Sequence, residues 1–307
     1  MTKLKTTLLA SAAMLALSGQ AFAAGCDKVT FSDVGWTDIT TTTTAARLVL
    51  EGLGYDVEVK MLAVPVTYEA LSKGDIDVFL GSWIPAQIGA VQPYLDNKTV
   101  EVLTTNLTGT KYTLAVPTYL YDKGLKTFAD VPKFKDELEG KIYGIEPGNE
   151  GNGYLISQTE AGKSLEGMEI VESSEQGMLA QVARLYPSEK AVVFLGWEPH
   201  PMNANFSLKY LTGGEEFFGE EGVVNTVTRV GYAAECPNTG ALLKNMTFTL
   251  PMENEIMGAI LDDGEEAADA VTAWVKANPA VLEGWLQGVT TKDGGDGLAA
   301  VKAAFGL

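Results

Sequence analysis

The chain contains the sequence Ala191-Val-Val-Phe-Leu-Gly-Trp-Glu-Pro-His200. Its apolar, β-branched beginning predicts a buried strand over Ala191 to Leu195, which Gly196 and Pro199 end. Trp197 then lies at the carboxyl end of a strand. Because open α/β sheets bind their ligands at that edge, the stretch favours an α/β fold with an indole at the binding edge.

The same phrase occurs earlier, as Ile76-Asp-Val-Phe-Leu-Gly-Ser-Trp-Ile-Pro85. Two copies of an apolar strand with Phe-Leu-Gly, a Trp and a Pro predict two similar units, each with one indole at a strand end. Large aromatic side chains more often pack in a core, so the alternative for Trp83 and Trp197 is a purely structural role. Their repetition beside Gly and Pro favours a position at the edge of a loop.

The first 23 residues have the three features of a bacterial secretory signal. Lys3 and Lys5 precede an apolar stretch from Leu8 to Leu17, and Ala21-Phe22-Ala23 has the small-x-small form of a cleavage site. The apolar part is too short to span a membrane. We therefore expect a protein exported to the periplasm of a Gram-negative bacterium, with a mature chain that starts near Ala24.

Composition limits the class of partner. The net charge is −18, and removal of two lysines with the signal segment makes it more negative. Such a surface repels nucleic acid and anionic lipid and is compatible with a cationic ligand, although charge also serves solubility alone. The length of 307 residues suits two domains or one large α/β domain, and a hydrophobic content of 46% is enough for a packed core.

The chain has two cysteines, Cys26 and Cys236. In an exported protein we expect them to form one disulfide, which ties the amino terminus to a distant segment. The alternative is a lipid anchor on Cys26, which lies just after the cleavage site. The preceding residues Phe22-Ala-Ala-Gly25 match the lipoprotein pattern poorly, because that pattern has a Leu three positions before the Cys.

Strands and helices alternate through both halves of the chain, which predicts mostly parallel sheets flanked by helices. The first helix is predicted over Thr40 to Leu53, with Thr37 or Asp38 as its cap. A second unit begins near Tyr112 and has a helix at Tyr154 to Ala161 after a Gly- and Asn-rich loop.

A bond between the cysteines would bring both ends of the chain into one lobe. We expect lobe I to comprise residues 24–110 and 215–307, and lobe II to be the inserted residues 111–214. Two connections then join the lobes around a cleft with a hinge, and ligand sites favour such interfaces.

Catalytic chemistry is poorly represented. His200 is the only histidine, and the sequence has no Gly-x-Ser-x-Gly elbow, no phosphate-binding loop and no zinc motif. Asp293-Gly-Gly-Asp-Gly297 lacks the carboxylate spacing of a calcium loop. We therefore expect a binding protein without a cofactor or metal, and not an enzyme.

Four aromatic residues fall at predicted strand ends, two in each lobe: Trp36 and Trp83, then Tyr112 and Trp197. Ring faces that converge in a cleft form a cage for a quaternary ammonium group, which each ring attracts by about 0.5–2 kcal/mol. A trimethylammonium group has no N–H donor, so carboxylates alone cannot hydrogen-bond it.

Two polar residues could hold a ligand hydroxyl beside this cage. Asp38 follows Trp36 by two positions and offers an acceptor, and Asn149 in the Gly-rich loop offers a donor or an acceptor. The alternatives are that Asp38 only caps a helix and that Asn149 only supports a turn.

Six segments resemble the periplasmic choline-binding proteins of ABC importers, within the wider group that binds glycine betaine and related osmolytes. The segments are Asp33-Val-Gly-Trp-Thr-Asp38, Phe79-Leu-Gly-Ser-Trp-Ile-Pro85, Lys111-Tyr-Thr113, Ile145-Glu-Pro-Gly-Asn149, Ser173-Ser-Glu-Gln-Gly-Met178 and Phe194-Leu-Gly-Trp-Glu-Pro-His-Pro-Met-Asn203. The likeness extends from about Cys26 to the carboxyl terminus. It implies a two-lobed periplasmic-binding-protein fold of type II that closes about a hinge and delivers choline to a permease and its ATPase.

The resemblance also implies roles for individual positions. The aromatic box corresponds to Trp36, Trp83, Tyr112 and Trp197, the hydroxyl-binding pair to Asp38 and Asn149, and the family's disulfide to Cys26 and Cys236. One departure is that Ser82 and Ile84 stand where the family tends to have Asn and Met, which leaves the indole between them intact.

The choice of ligand depends on its tail. Choline carries a hydroxyl, whereas glycine betaine and dimethylsulfoniopropionate carry a carboxylate that Asp38 would repel. The arginines Arg47, Arg184 and Arg229 lie in no motif, so choline is favoured. A betaine-type ligand, an enzyme that uses His200 as its base, and a sensor domain for the same ligands remain alternatives. We expect a monomer with a small-molecule ligand and no nucleic-acid partner.

Overall fold

The computed structural model describes residues 26–307, so the predicted signal segment and the mature start at Ala24 lie outside the described residues. Within this range the chain forms nine strands. They are β1 (Lys28–Asp33), β2 (Asp56–Met61), β3 (Val78–Ile84), β4 (Val100–Pro117), β5 (Lys141–Tyr143), β6 (Glu169–Val171), β7 (Phe194–Glu198), β8 (Leu208–Tyr210) and β9 (Gly222–Arg229).

Helices connect and cover these strands. The α-helices of residues 26–307 are α1 (Thr37–Gly52), α2 (Val64–Lys73), α3 (Ile88–Asp96), α4 (Thr118–Asp122), α5 (Glu150–Gln158), α6 (Glu175–Leu185), α7 (Met202–Asn205), α8 (Glu215–Phe218), α9 (Tyr232–Glu235), α10 (Pro237–Asn245), α11 (Leu250–Leu261), α12 (Ala267–Ala277), α13 (Val281–Trp285) and α14 (Gly297–Ala304). Two 3-10 helices span Phe128–Phe134 and Tyr186–Ser188. No helix among the described residues is both long enough and apolar enough to cross a lipid bilayer.

The strands form one nine-stranded sheet in the order β2-β1-β3-β9-β4-β7-β5-β6, with β8 on β4. Parallel pairing joins β2, β1 and β3 in one half and β6, β5 and β7 in the other. The predicted α/β class is confirmed. The expectation of mostly parallel sheets is right only for these two groups of three. Between them, β9 pairs antiparallel with β3 and with β4, and β4 pairs antiparallel with β7.

Strand β4 connects the two halves. Its first part pairs with β9 as far as Thr110, and from Lys111 onward it pairs with β7. Register shifts interrupt the β9 pairing, and Gly109 has a φ of +76° just before the change of partner. The strand predicted to begin at Tyr112 is therefore the second part of one 18-residue strand.

The two repeated phrases form β3 and β7. The prediction that Gly196 ends its strand is wrong, whereas β7 does end at Glu198, just before Pro199. Gly81 lies inside β3 and Gly196 inside β7. A Cβ on Gly196 would come within 2.8 Å of the Ala115 Cβ, and one on Gly81 would come within 2.8 Å of Ile39. Each glycine therefore permits close packing within the strand, and both tryptophans lie on the strand itself.

Two helix starts differ from the predictions. Helix α1 begins at Thr37 rather than Thr40, and its N-cap is Trp36, which makes no side-chain capping bond. Helix α5 begins at Glu150 rather than Tyr154, because the Asn149 side chain accepts hydrogen bonds from the first free backbone N–H groups. The predictions did not include α3, α13 or α14.

The predicted disulfide between Cys26 and Cys236 is present, with the two Cα atoms 5.5 Å apart. It joins the chain just before β1 to the start of α10, and it leaves the Cys26 sulfur unavailable for a lipid anchor. The amino-terminal strand is thereby tied to the carboxyl-terminal helices that follow β9.

Candidate ligand-binding cavity

All six residues predicted for the site line one cavity, whose volume is about 370 Å³ including its open mouth. The lining residues are Trp36, Asp38, Trp83, Ala86, Gln87, Tyr112, Ile145, Asn149, Glu150, Gly151 and Trp197. They come from β3, β4 and β7, from the starts of α1 and α5, and from the loops beside them. The cavity therefore lies where the two halves of the sheet meet.

Aromatic rings form most of the wall. Tyr112 lies between Trp83 and Trp197, with ring centroids 6.3 Å from each and interplanar angles of 64° and 79°. Phe218 packs edge-on against Tyr112 at 5.0 Å. The three indoles are only 4–7% exposed, so they are buried like core residues, yet each one borders the cavity.

Asp38 is the second residue of α1 and does not cap that helix, so the capping alternative is wrong. Its Oδ2 accepts a hydrogen bond of 3.0 Å from the Trp83 indole Nε1, and its buried Oδ1 has no partner among the described residues. Burial, together with the nearby Glu175 carboxylate, raises the pKa of Asp38 to about 8. The cavity lining thus includes a residue whose carboxyl group has one oxygen without a hydrogen bond from any described residue.

Asn149 does support the turn, as the N-cap of α5. Its Oδ1 accepts from the Gly151 N–H at 2.8 Å and from the Tyr112 hydroxyl at 3.1 Å. Its Nδ2 donates to Glu146 Oε1 at 3.2 Å, which leaves the second N–H of this amide for a ligand. The supporting role and a ligand-binding role are therefore compatible.

Glu146 and Glu150 were not predicted as site residues. The Trp36 indole Nε1 donates to Glu146 Oε2 at 3.0 Å, which ties this ring to the Gly-rich loop. Glu150 lines the cavity directly, and burial followed by repulsion from Glu146 raises its pKa to about 7. The signal for both was present in the Gly-rich loop, since two acids flank Asn149 in a segment already assigned to the site.

The lining is acidic and contains no Lys, Arg or His among the described residues. Asp38 and Glu150 belong to the wall, and Glu146 bonds to two of its members. A cavity with aromatic faces and carboxyl groups attracts a cation, and its described lining offers no basic side chain to an anion.

The only histidine is engaged elsewhere. His200 Nδ1 accepts the Met202 backbone N–H, so the ring proton is on Nε2 and donates to Glu175 Oε1 at 3.0 Å. The same carboxylate accepts hydrogen bonds from the backbone N–H and the hydroxyl of Thr37, at 2.8 and 2.7 Å. His200 therefore orients the side chain of Glu175, which begins α6, toward Thr37 at the start of α1. His200 does not line the cavity.

An α/β sheet in two halves with an aromatic cavity between them is the architecture of the substrate-binding proteins of importers. Residues 27–277 match the family described as the substrate binding domain of an ABC-type glycine betaine transport system, and the chain belongs to this family. It is a transport protein that binds substrate, and not an enzyme.

Solved structures support the same placement. The chain is 58% identical to an ABC-transporter choline binding protein in complex with choline, with a TM-score of 0.89 over 91% of this chain and 98% of that one. The unliganded semi-closed conformation of an ABC-transporter choline binding protein gives 58% identity and a TM-score of 0.84, over 92% and 99%. The two-lobed fold expected from the sequence is the fold of these proteins.

A more distant curated relative is the glycine betaine/carnitine transport binding protein GbuC of Listeria monocytogenes. It is 27% identical over 172 residues, which cover 55% of this chain and 57% of that protein.

Proposed function

We propose that this protein captures choline and delivers it to the permease and ATPase of an ABC importer. The observation that carries the proposal is that Trp36, Trp83, Tyr112 and Trp197 share one cavity with the unpartnered oxygen of Asp38. The similar protein named for its choline complex adds support from outside this chain.

Each part of choline has a counterpart in the cavity. The ring faces would surround the trimethylammonium group, with about 0.5–2 kcal/mol from each ring. The hydroxyl would donate to Asp38 Oδ1 and accept from the remaining N–H of Asn149. Trp83 would hold Asp38 in place through its hydrogen bond to Oδ2. Glu146 would hold Asn149 and Trp36, since both side chains donate hydrogen bonds to it.

Glycine betaine is the weaker candidate, although the family is described by it. Its carboxylate would lie among Asp38 and Glu150 with no basic side chain in the wall. The arginines are paired elsewhere: Arg47 with Glu51, Arg184 with Gln181 and Arg229 with Asp77.

The proposal includes an export signal at residues 1–23, a periplasmic location and a monomeric state. It also includes lobe I at residues 24–110 and 215–307 and lobe II at residues 111–214. The change of pairing partner between Thr110 and Lys111 supports the first of these boundaries. Closure of the lobes over choline would produce the form that docks to the permease.

Titration calorimetry of the purified mature chain tests the proposal. Choline should bind more tightly than glycine betaine and dimethylsulfoniopropionate. Absence of choline binding, or tighter binding of either carboxylate ligand, would refute it. Uptake of labelled choline in cells with and without the gene then separates import from sensing.

A further inference from the structure

Glu150 is a polar group of the cavity for which the resemblance and the aromatic cage assign no role. It is the first residue of α5, directly after the N-cap Asn149, and its side chain lines the cavity. Its Oε2 is buried and receives no hydrogen bond from any described residue. A buried, unpaired carboxylate oxygen on a residue that lines a binding cavity is costly unless a nearby positive charge compensates it.

The groups around Glu150 are all acidic or neutral. Glu146 lies in the same loop, and Asp38 and Tyr112 line the same cavity. The charge of Glu150 also raises the pKa of Tyr68 on α2. No basic side chain lines the cavity among the described residues, so a bound cation is the available counter-charge.

We propose that Glu150 is a charge-selecting residue of this cavity, whose carboxylate favours ligands with a net positive charge over zwitterions with the same onium head. This inference rests on the proposed function and names the property that separates choline from betaine-type ligands. Asp38 is expected to accept the hydroxyl of the ligand tail in addition to responding to the ligand's charge, whereas Glu150 acts through the net charge of the ligand alone.

The selection depends on ionisation. Burial and Glu146 raise the pKa of Glu150 to about 7, so in the free protein much of it is protonated in mildly acid solution. A cation in the cavity stabilises the ionised form, and its affinity therefore rises with pH through this range. A zwitterion gains less, because its carboxylate is repelled by the same charge.

The test compares wild type with Glu150→Gln, which keeps the shape and removes the charge. Calorimetry at about pH 8 should show choline affinity reduced roughly ten-fold, with the ratio of choline to glycine betaine affinity reduced by about the same factor. At about pH 5.5 wild type and variant should differ by less than about two-fold, since Glu150 is then protonated in the free protein. Residual pH dependence in the variant belongs to Asp38 and Glu146.

Two further variants control for structure and for general charge. Glu160→Gln removes the same charge at an exposed position after α5 and should leave the ratio unchanged. Glu150→Asp keeps the charge and should retain the preference for choline.

An unchanged ratio of choline to glycine betaine affinity in Glu150→Gln, or an equal loss of choline affinity at both pH values, would overturn the inference. The proposed function would still stand in that case, provided that wild type binds choline. A wild type that binds no choline would instead refute the proposed function.

Discussion

The Trp83 indole donates a hydrogen bond to Asp38 Oδ2 at 3.0 Å, while Asp38 Oδ1 stays buried and unpaired. This contact joins β3 to α1 across 45 positions of sequence. One bond therefore orients a ring of the cage and directs the carboxylate expected to accept the ligand hydroxyl. The arrangement makes ligand binding sensitive to the charge state of Asp38.

Choline binding should release a proton below about pH 8, because Asp38 is largely protonated in the free protein and a bound cation favours its ionised form. Glu175 and Glu253 are the neighbouring acids. Burial raises the pKa of both Asp38 and Glu253, and the charge of Glu175 adds to this effect on Asp38, as the charge of Asp38 does on Glu253. The expected sign is an affinity that increases with pH up to about 8 and levels off above it. Calorimetry in two buffers of different ionisation enthalpy measures the proton release.

Asp38→Asn keeps an acceptor for the Trp83 indole and removes the titrating group. This variant should bind choline less tightly above pH 8 and release fewer protons below it. Identical proton release in the variant and in wild type would assign the linkage to another group.

Trp197→Ala should weaken choline binding more than about ten-fold, because the indole is a wall of the cage and contacts of this kind contribute about 0.5–2 kcal/mol in addition to the lost packing. Trp274→Ala is the matched control, since Trp274 lies on α12 outside the cavity lining and bonds Glu255. Equal affinities of Trp197→Ala and the control would support a purely structural role for Trp197.

Thr37→Val removes a hydroxyl that donates to the buried Glu175 and links α1 to α6, which lie in different proposed lobes. A hydrogen bond to a charged acceptor contributes about 1.5–3 kcal/mol, so choline should dissociate roughly ten-fold faster if this contact forms on closure. Stopped-flow displacement, followed by indole fluorescence, measures the rate.

Thr43→Val is the control for this change, in the same helix. The Thr43 hydroxyl is buried without a partner among the described residues, so its removal should leave dissociation unchanged and stability equal or higher. If both variants release choline at the wild-type rate, the link between Thr37 and Glu175 does not stabilise the closed form.

Replacement of Cys26 and Cys236 by serine should lower the free energy of unfolding by about 2–5 kcal/mol, because the bond closes a long loop of the unfolded chain. Choline affinity should change little. The disulfide lies just before β1, and the cavity residues Trp36 and Asp38 come after the other end of this strand. The six residues of β1 span about 20 Å, at ~3.3 Å per residue. Urea denaturation and calorimetry check the two parts; an unchanged urea midpoint would contradict the first.

Much of the fold followed from local pattern. Alternating strands and helices predicted the α/β class, and the repeated phrase located two strands that carry indoles into the cavity. Two cysteines in an exported chain predicted their bond. The ends of elements were less predictable, because Gly81 and Gly196 serve close packing inside strands, which depends on neighbours distant in sequence.

The sequence by itself determined the chemistry of this protein: aromatic rings with few polar partners, an acidic balance and two cysteines able to form one bond. Only the tertiary structure decided which groups meet, as in the contacts of Trp36 with Glu146 and Thr37 with Glu175, which span 110 and 138 positions. It also buried one oxygen of Glu150, a residue of the cavity lining, without a hydrogen-bond partner among the described residues. The reason is physical: residue type sets what a side chain can bind, whereas its partner and its state of charge depend on burial and on neighbours that folding brings together.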